Sequence, residues 1–262
     1  VLAVTLATWE VRCGCGKLTR VQAPEDEPPM PPLCDECLPR TVEEFRTQKV
    51  EKMVDVQDLD ALQKAIEPIH GWWQAESGRA LYQLVKRLDG NVLELGSWCG
   101  RSTAWIAAAL EARGAGVSGT VDTIDTWEGS PKEPLHAELI ASLPPGSTLQ
   151  DLWAQNLAGL GLRSRVCGWQ YTTDEAFVLF KKRFDEDIEQ VYDVLLIDAD
   201  HSYEAVKRDF ENYSKLVRFG GYVIFDDVPS WHGPTKVHRE LDPRIWKLIE
   251  YWPNQAVFRR MA

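Results

Sequence analysis

The chain has 262 residues, 44% of them hydrophobic and 26% charged, the composition of a globular protein able to bury a sizeable core. Its formal net charge of −11 argues against broad nucleic-acid binding and leaves a small molecule as the easier partner to defend. No apolar stretch reaches membrane-spanning length, and the opening VLAVTLATWEV lacks the basic leader and small-residue cleavage pattern of a signal peptide.

Four of the six cysteines, Cys13, Cys15, Cys34 and Cys37, fall in the first forty residues, while Cys99 and Cys167 stand alone. This uneven placement fits a reducing, cytoplasmic compartment better than a disulfide-stapled fold. The two close pairs are separated by VQAPEDEPPMPP, a Pro- and acid-rich loop that cannot form a core. Four thiolates can surround one tetrahedral Zn²⁺, which supplies folding energy that so short a segment lacks. Residues 1–40 are therefore read as a zinc knuckle with no open coordination position, with unrelated reduced cysteines as the plain alternative.

Residues 41–88 read as a helical linker and helices that precede the main domain. Thr41 and Glu44 fit a capping box for a helix over 41–52. Leu59, Leu62, Ile66 and Ile69 recur at helical spacing, and a further helix is expected over 76–88. Between them, Trp72 and Trp73 either roof a pocket or pack between a helix and a sheet.

The third segment, 89–262, opens on NVLELGSWCGRST. Its apolar run at 92–95 predicts a buried parallel strand, and the Ala-rich stretch from Thr103 predicts a helix. The turn between them carries Glu94-x-Gly96-x-x-x-Gly100, with Ser102 and Thr103 placed to cap or begin the helix. Trp98 occupies the position where a dinucleotide fingerprint needs glycine, which counts against a pyrophosphate. Glu94 would repel a phosphate and suits a cationic cofactor.

A second strand over 116–124 ends at Asp125, where an acid ordinarily holds ribose hydroxyls. Thr126 follows it, and Trp127 can lie against a flat ring or simply pack. Helices are expected over 135–142 and 149–157, a third strand over 163–169 ending near Gln170, and then a helix rich in Phe and Lys. The fourth strand, 194–197, ends in Asp198-Ala199-Asp200-His201, and a helix is expected over 203–217. Gly220 and Gly221 should turn the chain into a fifth strand, 222–225, which ends in Asp226 and Asp227. Like charges this close call for a cation, and carboxylate oxygens suit Mg²⁺, Mn²⁺ or Ca²⁺. Asp198, Asp226 and Asp227 are therefore candidate metal ligands. His201, three residues past Asp198, is the candidate general base, with His232 as its competitor.

Read in order, ELGSWCGRST, IDTWEG, LLIDADHSYEAVKRDF and GGYVIFDDV resemble a class I S-adenosylmethionine-dependent methyltransferase. The nearest likeness is to the group of macrolide-sugar O-methyltransferases and proteins labelled cephalosporin hydroxylase, and a more distant one is to caffeoyl-CoA and catechol O-methyltransferases. The resemblance implies a Rossmann-like, doubly wound sheet of seven strands in the order 3-2-1-4-5-7-6, with strand 7 antiparallel. It implies that Glu94, Gly96, Ser97, Gly100 and Ser102 surround the methionine part of the cofactor. Asp125, Thr126, Trp127 and Gln170 would line its adenosine part, and Asp198 would lie beside it. Asp198, Asp226 and Asp227 match metal positions, the last being Asn in many caffeoyl-CoA-like enzymes. His201 matches the general base of the sugar branch, where the plant enzymes have Lys.

The expected reaction is metal-assisted methyl transfer to a hydroxyl of a small molecule, a sugar or glycosylated natural product. A catechol, an RNA recruited by the knuckle, a non-catalytic cofactor-binding protein and a nicotinamide oxidoreductase are the rivals. A homo-oligomer is left open.

Overall fold

The computed structural model describes residues 6–12, 18–24, 55–114, 117, 119–130, 134–183 and 191–262. The chain divides into two compact units, Val1–Lys52 and Met53–Ala262.

In the first unit, β1 (Leu6–Arg12) and β2 (Leu18–Pro24) pair antiparallel, with Arg12 opposite Leu18. The stretch expected to be loop from residue 21 thus continues as strand to Pro24, where proline is tolerated because it ends the strand. Cys13, Cys15, Cys34, Cys37 and the expected helix over 41–52 lie outside the described residues.

The second unit is built on a seven-stranded sheet. Its strands are β3 (Asn91–Leu95), β4 (Val121–Asp125), β5 (Val166–Gln170), β6 (Tyr192–Ile197), β7 (Val217–Phe225), β8 (Trp246–Trp252) and β9 (Gln255–Arg260). The order across the sheet is β5-β4-β3-β6-β7-β9-β8, with β9 antiparallel to both of its neighbours, as the resemblance implies. The helices are α1 (Leu59–Ile66), α2 (Ala75–Lys86), α3 (Arg101–Glu111), α4 (Pro134–Ser142), α5 (Leu149–Gly159), α6 (Thr173–Arg183), α7 (Tyr203–Tyr213) and α8 (His232–Arg239).

Strand alternation sends successive side chains to opposite faces, so each face collects its own core. On one face Val92, Val194 and Ile224 pack with Leu62, Leu81, Trp105 and Trp153 from α1, α2, α3 and α5. On the other, Leu93, Leu195 and Phe225 pack with Phe177, Phe180, Tyr213 and Val237 from α6, α7 and α8. Because α1 and α2 supply part of the first core, the part of the segment 41–88 that carries them belongs to the sheet-bearing unit.

Three local expectations are corrected. The helix read over 203–217 ends at Tyr213, and one 3₁₀ turn, Ser214–Leu216, leads into β7 at Val217. Gly220 and Gly221 lie within that strand as a bulge. Pairing jumps there from Tyr192 opposite Val217 to Val194 opposite Tyr222, and Gly220 takes φ +78° to absorb the extra residues. The third expected strand likewise begins only at Val166, after a 3₁₀ turn over Arg163–Arg165.

Candidate active site

The tips of neighbouring parallel strands are stitched together by backbone hydrogen bonds. Gly96 N–H donates to Ile124 C=O, Asp198 N–H to Leu95 C=O, and Asp226 N–H to Ile197 C=O, at 2.8, 2.8 and 3.1 Å. The glycine turn, the acid ending β4 and the acids ending β6 and β7 therefore occupy one edge of the sheet, where ligands of such folds bind.

Gly96 is required by that stitching. Its φ is +83°, and a Cβ there would sit 2.1 Å from the Asp198 carbonyl oxygen. A side chain at residue 96 would thus run into the backbone just past β6. Gly100, at φ +91°, starts α3 beneath the Trp153 ring, where a Cβ would come within 2.9 Å.

Glu94 is fully buried and turns beneath the turn rather than into the cleft. The Ser102 and Thr103 hydroxyls each donate to one of its carboxylate oxygens at 2.6 Å. Burial pushes its pKa up to about 7 against the pull of those hydroxyls. Glu94 and Ser102, expected around the cofactor, therefore tie β3 to the first turn of α3. Asp125 is similarly occupied: its carboxylate accepts from Ser97 N–H and Trp98 N–H at 2.8 Å each and from Trp127 N–H at 2.7 Å. Burial raises its pKa, and the three amides oppose that rise.

Ser97 is buried, and its hydroxyl has no hydrogen-bond partner among the described residues. Trp98 and Trp127 both have left-handed backbones, φ 50° and 52°. Trp127 is buried, donates to the Trp98 carbonyl and packs on Trp153. It therefore packs, the plainer of its two expected roles. Gln170, exposed at the tip of β5, donates to the Thr126 carbonyl at 3.3 Å, so these two residues meet. Cys99 is buried and its thiol is pushed up to about 12, which makes it inert.

Across the turn, Asp198, His201 and Asp227 offer ligand atoms that all lie within 4.8 Å of one another. His201 Nε2 is 3.2 Å from Asp227 Oδ2 and 3.6 Å from Asp198 Oδ1, yet it is buried without an aligned hydrogen bond. Asp198 Oδ2 accepts from the Trp73 indole N–H at 3.0 Å. Burial and then the Asp227 charge raise Asp198 to about 8. Asp226, expected as a metal ligand beside Asp198 and Asp227, falls outside this group. It is buried and accepts from Gln255 Nε2 at 2.5 Å; burial and then the neighbouring Asp198 and Asp227 hold it well above the usual carboxylate range. Asp200 turns aside to accept from Ser202 N–H at the start of α7. His232 opens α8 on an exposed surface.

The two carboxylates are oxygen donors suited to a hard divalent ion, and the imidazole nitrogen beside them lacks an aligned partner. Among the described residues, no Lys or Arg forms an ion pair with Asp198, Asp226 or Asp227.

Several residues here escaped the sequence reading. Trp73 holds Asp198, Asn254 donates to Asp227, Gln255 donates to Asp226, and Trp231 lies 4.8 Å from the His201 ring. The double tryptophan was the one signal for Trp73. Asn254 and Gln255 gave none, the one being an ordinary residue of a hairpin turn and the other of the strand that follows it.

Comparison with known proteins accords with this layout. Residues 37% identical to "Uncharacterized protein R132" of Acanthamoeba polyphaga mimivirus extend over 68 positions, 26% of this chain and 29% of that protein, so the match spans under a third of the relative. Among solved structures, the O-methyltransferase NovP is 18% identical over 78% of this chain and 98% of its own, with a TM-score of 0.58. The O-methyltransferase from Bacillus cereus in complex with SAH is 19% identical over 84% and 96%, with a TM-score of 0.50. TomG from Streptomyces achromogenes, an O-methyltransferase involved in tomaymycin synthesis and solved with SAM, is 18% identical over 84% and 95%, also at 0.50. At these identities the likeness is one of fold. A family model described as "Methyltransferase domain" matches residues 93–228, from β3 through the acids ending β7, and the chain belongs to that family.

Proposed function

We propose that the chain is an S-adenosylmethionine-dependent O-methyltransferase that uses a divalent ion to methylate a hydroxyl of a small molecule, a sugar or glycosylated natural product. The observation that carries this reading is the convergence of Asp198, His201 and Asp227 at the same sheet edge as the Gly96 to Gly100 turn. The O-methyltransferase names of the three solved neighbours support it.

In this reading Asp198 and Asp227 hold the ion, and Asp226 supports Asp198 from behind. When bound, the cofactor supplies the methyl group and the ion supplies Lewis acidity toward the acceptor hydroxyl. His201 takes the hydroxyl proton at Nε2, the nitrogen left without an aligned partner. Asp198 and Asp227, at 3.6 and 3.2 Å, then stabilise the imidazolium that forms. Trp231, exposed beside His201, offers an apolar face to an acceptor ring. The β4 and β5 tips, with Thr126 and Gln170, flank the cofactor's adenosine. The N-terminal cysteines hold structural zinc, which metal analysis of the purified protein tests directly.

The test is a mass-spectrometric screen of sugar and catechol acceptors with S-adenosylmethionine, with and without Mg²⁺. Methylation of a sugar hydroxyl that requires Mg²⁺ is expected. His201→Ala should lose most turnover while retaining cofactor binding, and unchanged turnover rejects the base assignment. Activity insensitive to chelation rejects the ion, and a preference for catechols moves the acceptor to that class.

A further inference from the structure

The β8–β9 hairpin closes on a two-residue turn, since Trp252 pairs with Gln255, leaving Pro253 and Asn254 between them. Because β9 pairs with β7 through Ala256 opposite Phe225, that turn is carried to the strand tip bearing Asp226 and Asp227. Asn254 uses its backbone and both ends of its amide there. Its carbonyl accepts from Val228 N–H at 2.9 Å, its Nδ2 donates to Asp227 Oδ1 at 2.6 Å, and its Oδ1 accepts from Ser230 Oγ at 2.5 Å. Gln255 Nε2 likewise donates to Asp226 Oδ1.

We infer that Asn254 is a positioning residue for the divalent ion, holding one oxygen of Asp227 so that the other faces the cluster with Asp198 and His201. This rests on the metal reading above. Asp227 Oδ1 is clamped by the amide, while Oδ2 is the oxygen 3.2 Å from His201 Nε2. Asp227 also has a left-handed backbone, φ 57°, which a non-glycine residue adopts at a cost and keeps only where its surroundings fix it. The contacts from Asn254 to Asp227, Val228 and Ser230 supply that fixing.

The chemistry of the clamp matters as much as its place. A Lys or Arg partner would orient Asp227 but cancel the charge that attracts a cation. A neutral amide orients the carboxylate and leaves its charge available, the usual task of groups behind a metal ligand. The amide has one productive orientation, because reversing it would set its oxygen against the Asp227 carboxylate. Ser230, itself exposed, favours that orientation by donating to Oδ1.

The experiment is Mn²⁺ titration of the full chain, with free Mn²⁺ read by electron paramagnetic resonance and S-adenosylmethionine binding measured separately without metal. Asn254→Ala should weaken Mn²⁺ binding roughly 10- to 100-fold. S-adenosylmethionine affinity should stay within about twofold, and Ser230→Ala should show a smaller loss of Mn²⁺ affinity in the same direction. A folded Asn254→Ala protein with wild-type Mn²⁺ affinity overturns the inference and leaves the metal reading standing. If Asn254→Ala does not fold, Ser230→Ala decides: weakened Mn²⁺ binding supports the inference, and unchanged binding overturns it. Failure of the wild-type chain to bind Mn²⁺ overturns both readings together.

Discussion

Replacing Glu94 by Gln tests the energetics of the turn on which the site is built. Glu94 is fully buried, and burial lifts its pKa from 4.5 to about 7 although two hydroxyls donate to it. A carboxyl whose folded pKa is raised binds more protons folded than unfolded between those two values. Its contribution is therefore fully present below about pH 4.5 and is lost as pH rises through about 7. A shift from 4.5 to about 7 corresponds to roughly 3 kcal/mol, most of it falling between about pH 5 and about pH 8. Gln keeps an acceptor and a donor for Ser102 and Thr103 but has no proton to lose. Denaturant unfolding of both proteins, without ligand, should show the variant gaining roughly 2 to 3 kcal/mol relative to wild type over that range. Asp209, also raised by burial, titrates in both proteins and cancels in the difference, while Asp198, which the Glu94 charge helps to raise, titrates lower in the variant and adds to its gain in the same direction. Parallel stability curves would refute the burial argument. A variant that instead loses relative stability as pH rises would mean that the hydroxyls outweigh desolvation.

Asp198, held at about 8, should release a proton when Mn²⁺ binds near neutral pH, so affinity should fall up to about tenfold per pH unit below 8. Calorimetry in buffers of different ionisation enthalpy measures that release, and none at about pH 7 would show Asp198 already ionised. Gly96→Ala places a Cβ against the Asp198 carbonyl at a left-handed φ and should lower the unfolding free energy by more than about 2 kcal/mol. A variant as stable as wild type by denaturant unfolding would show that β3 and β6 can separate at their tips without cost.

By itself the sequence determined the order of the elements around the seven-stranded sheet and the strand ends at which the candidate site residues lie. Apolar runs ending in acids, at Asp125, Asp198 and Asp226 with Asp227, mark strands buried on both faces that stop where the chain must meet water, and this pattern needs only local residues. The sequence could not say which way each polar group turns once it arrives. Glu94 meets hydroxyls eight and nine residues on, Asp198 meets an indole from 125 positions away, and Asp227 meets an amide 27 positions later. Such partners are chosen by strand register and by which buried donor still lacks an acceptor. Both are properties of the assembled sheet, and only the tertiary structure sets them.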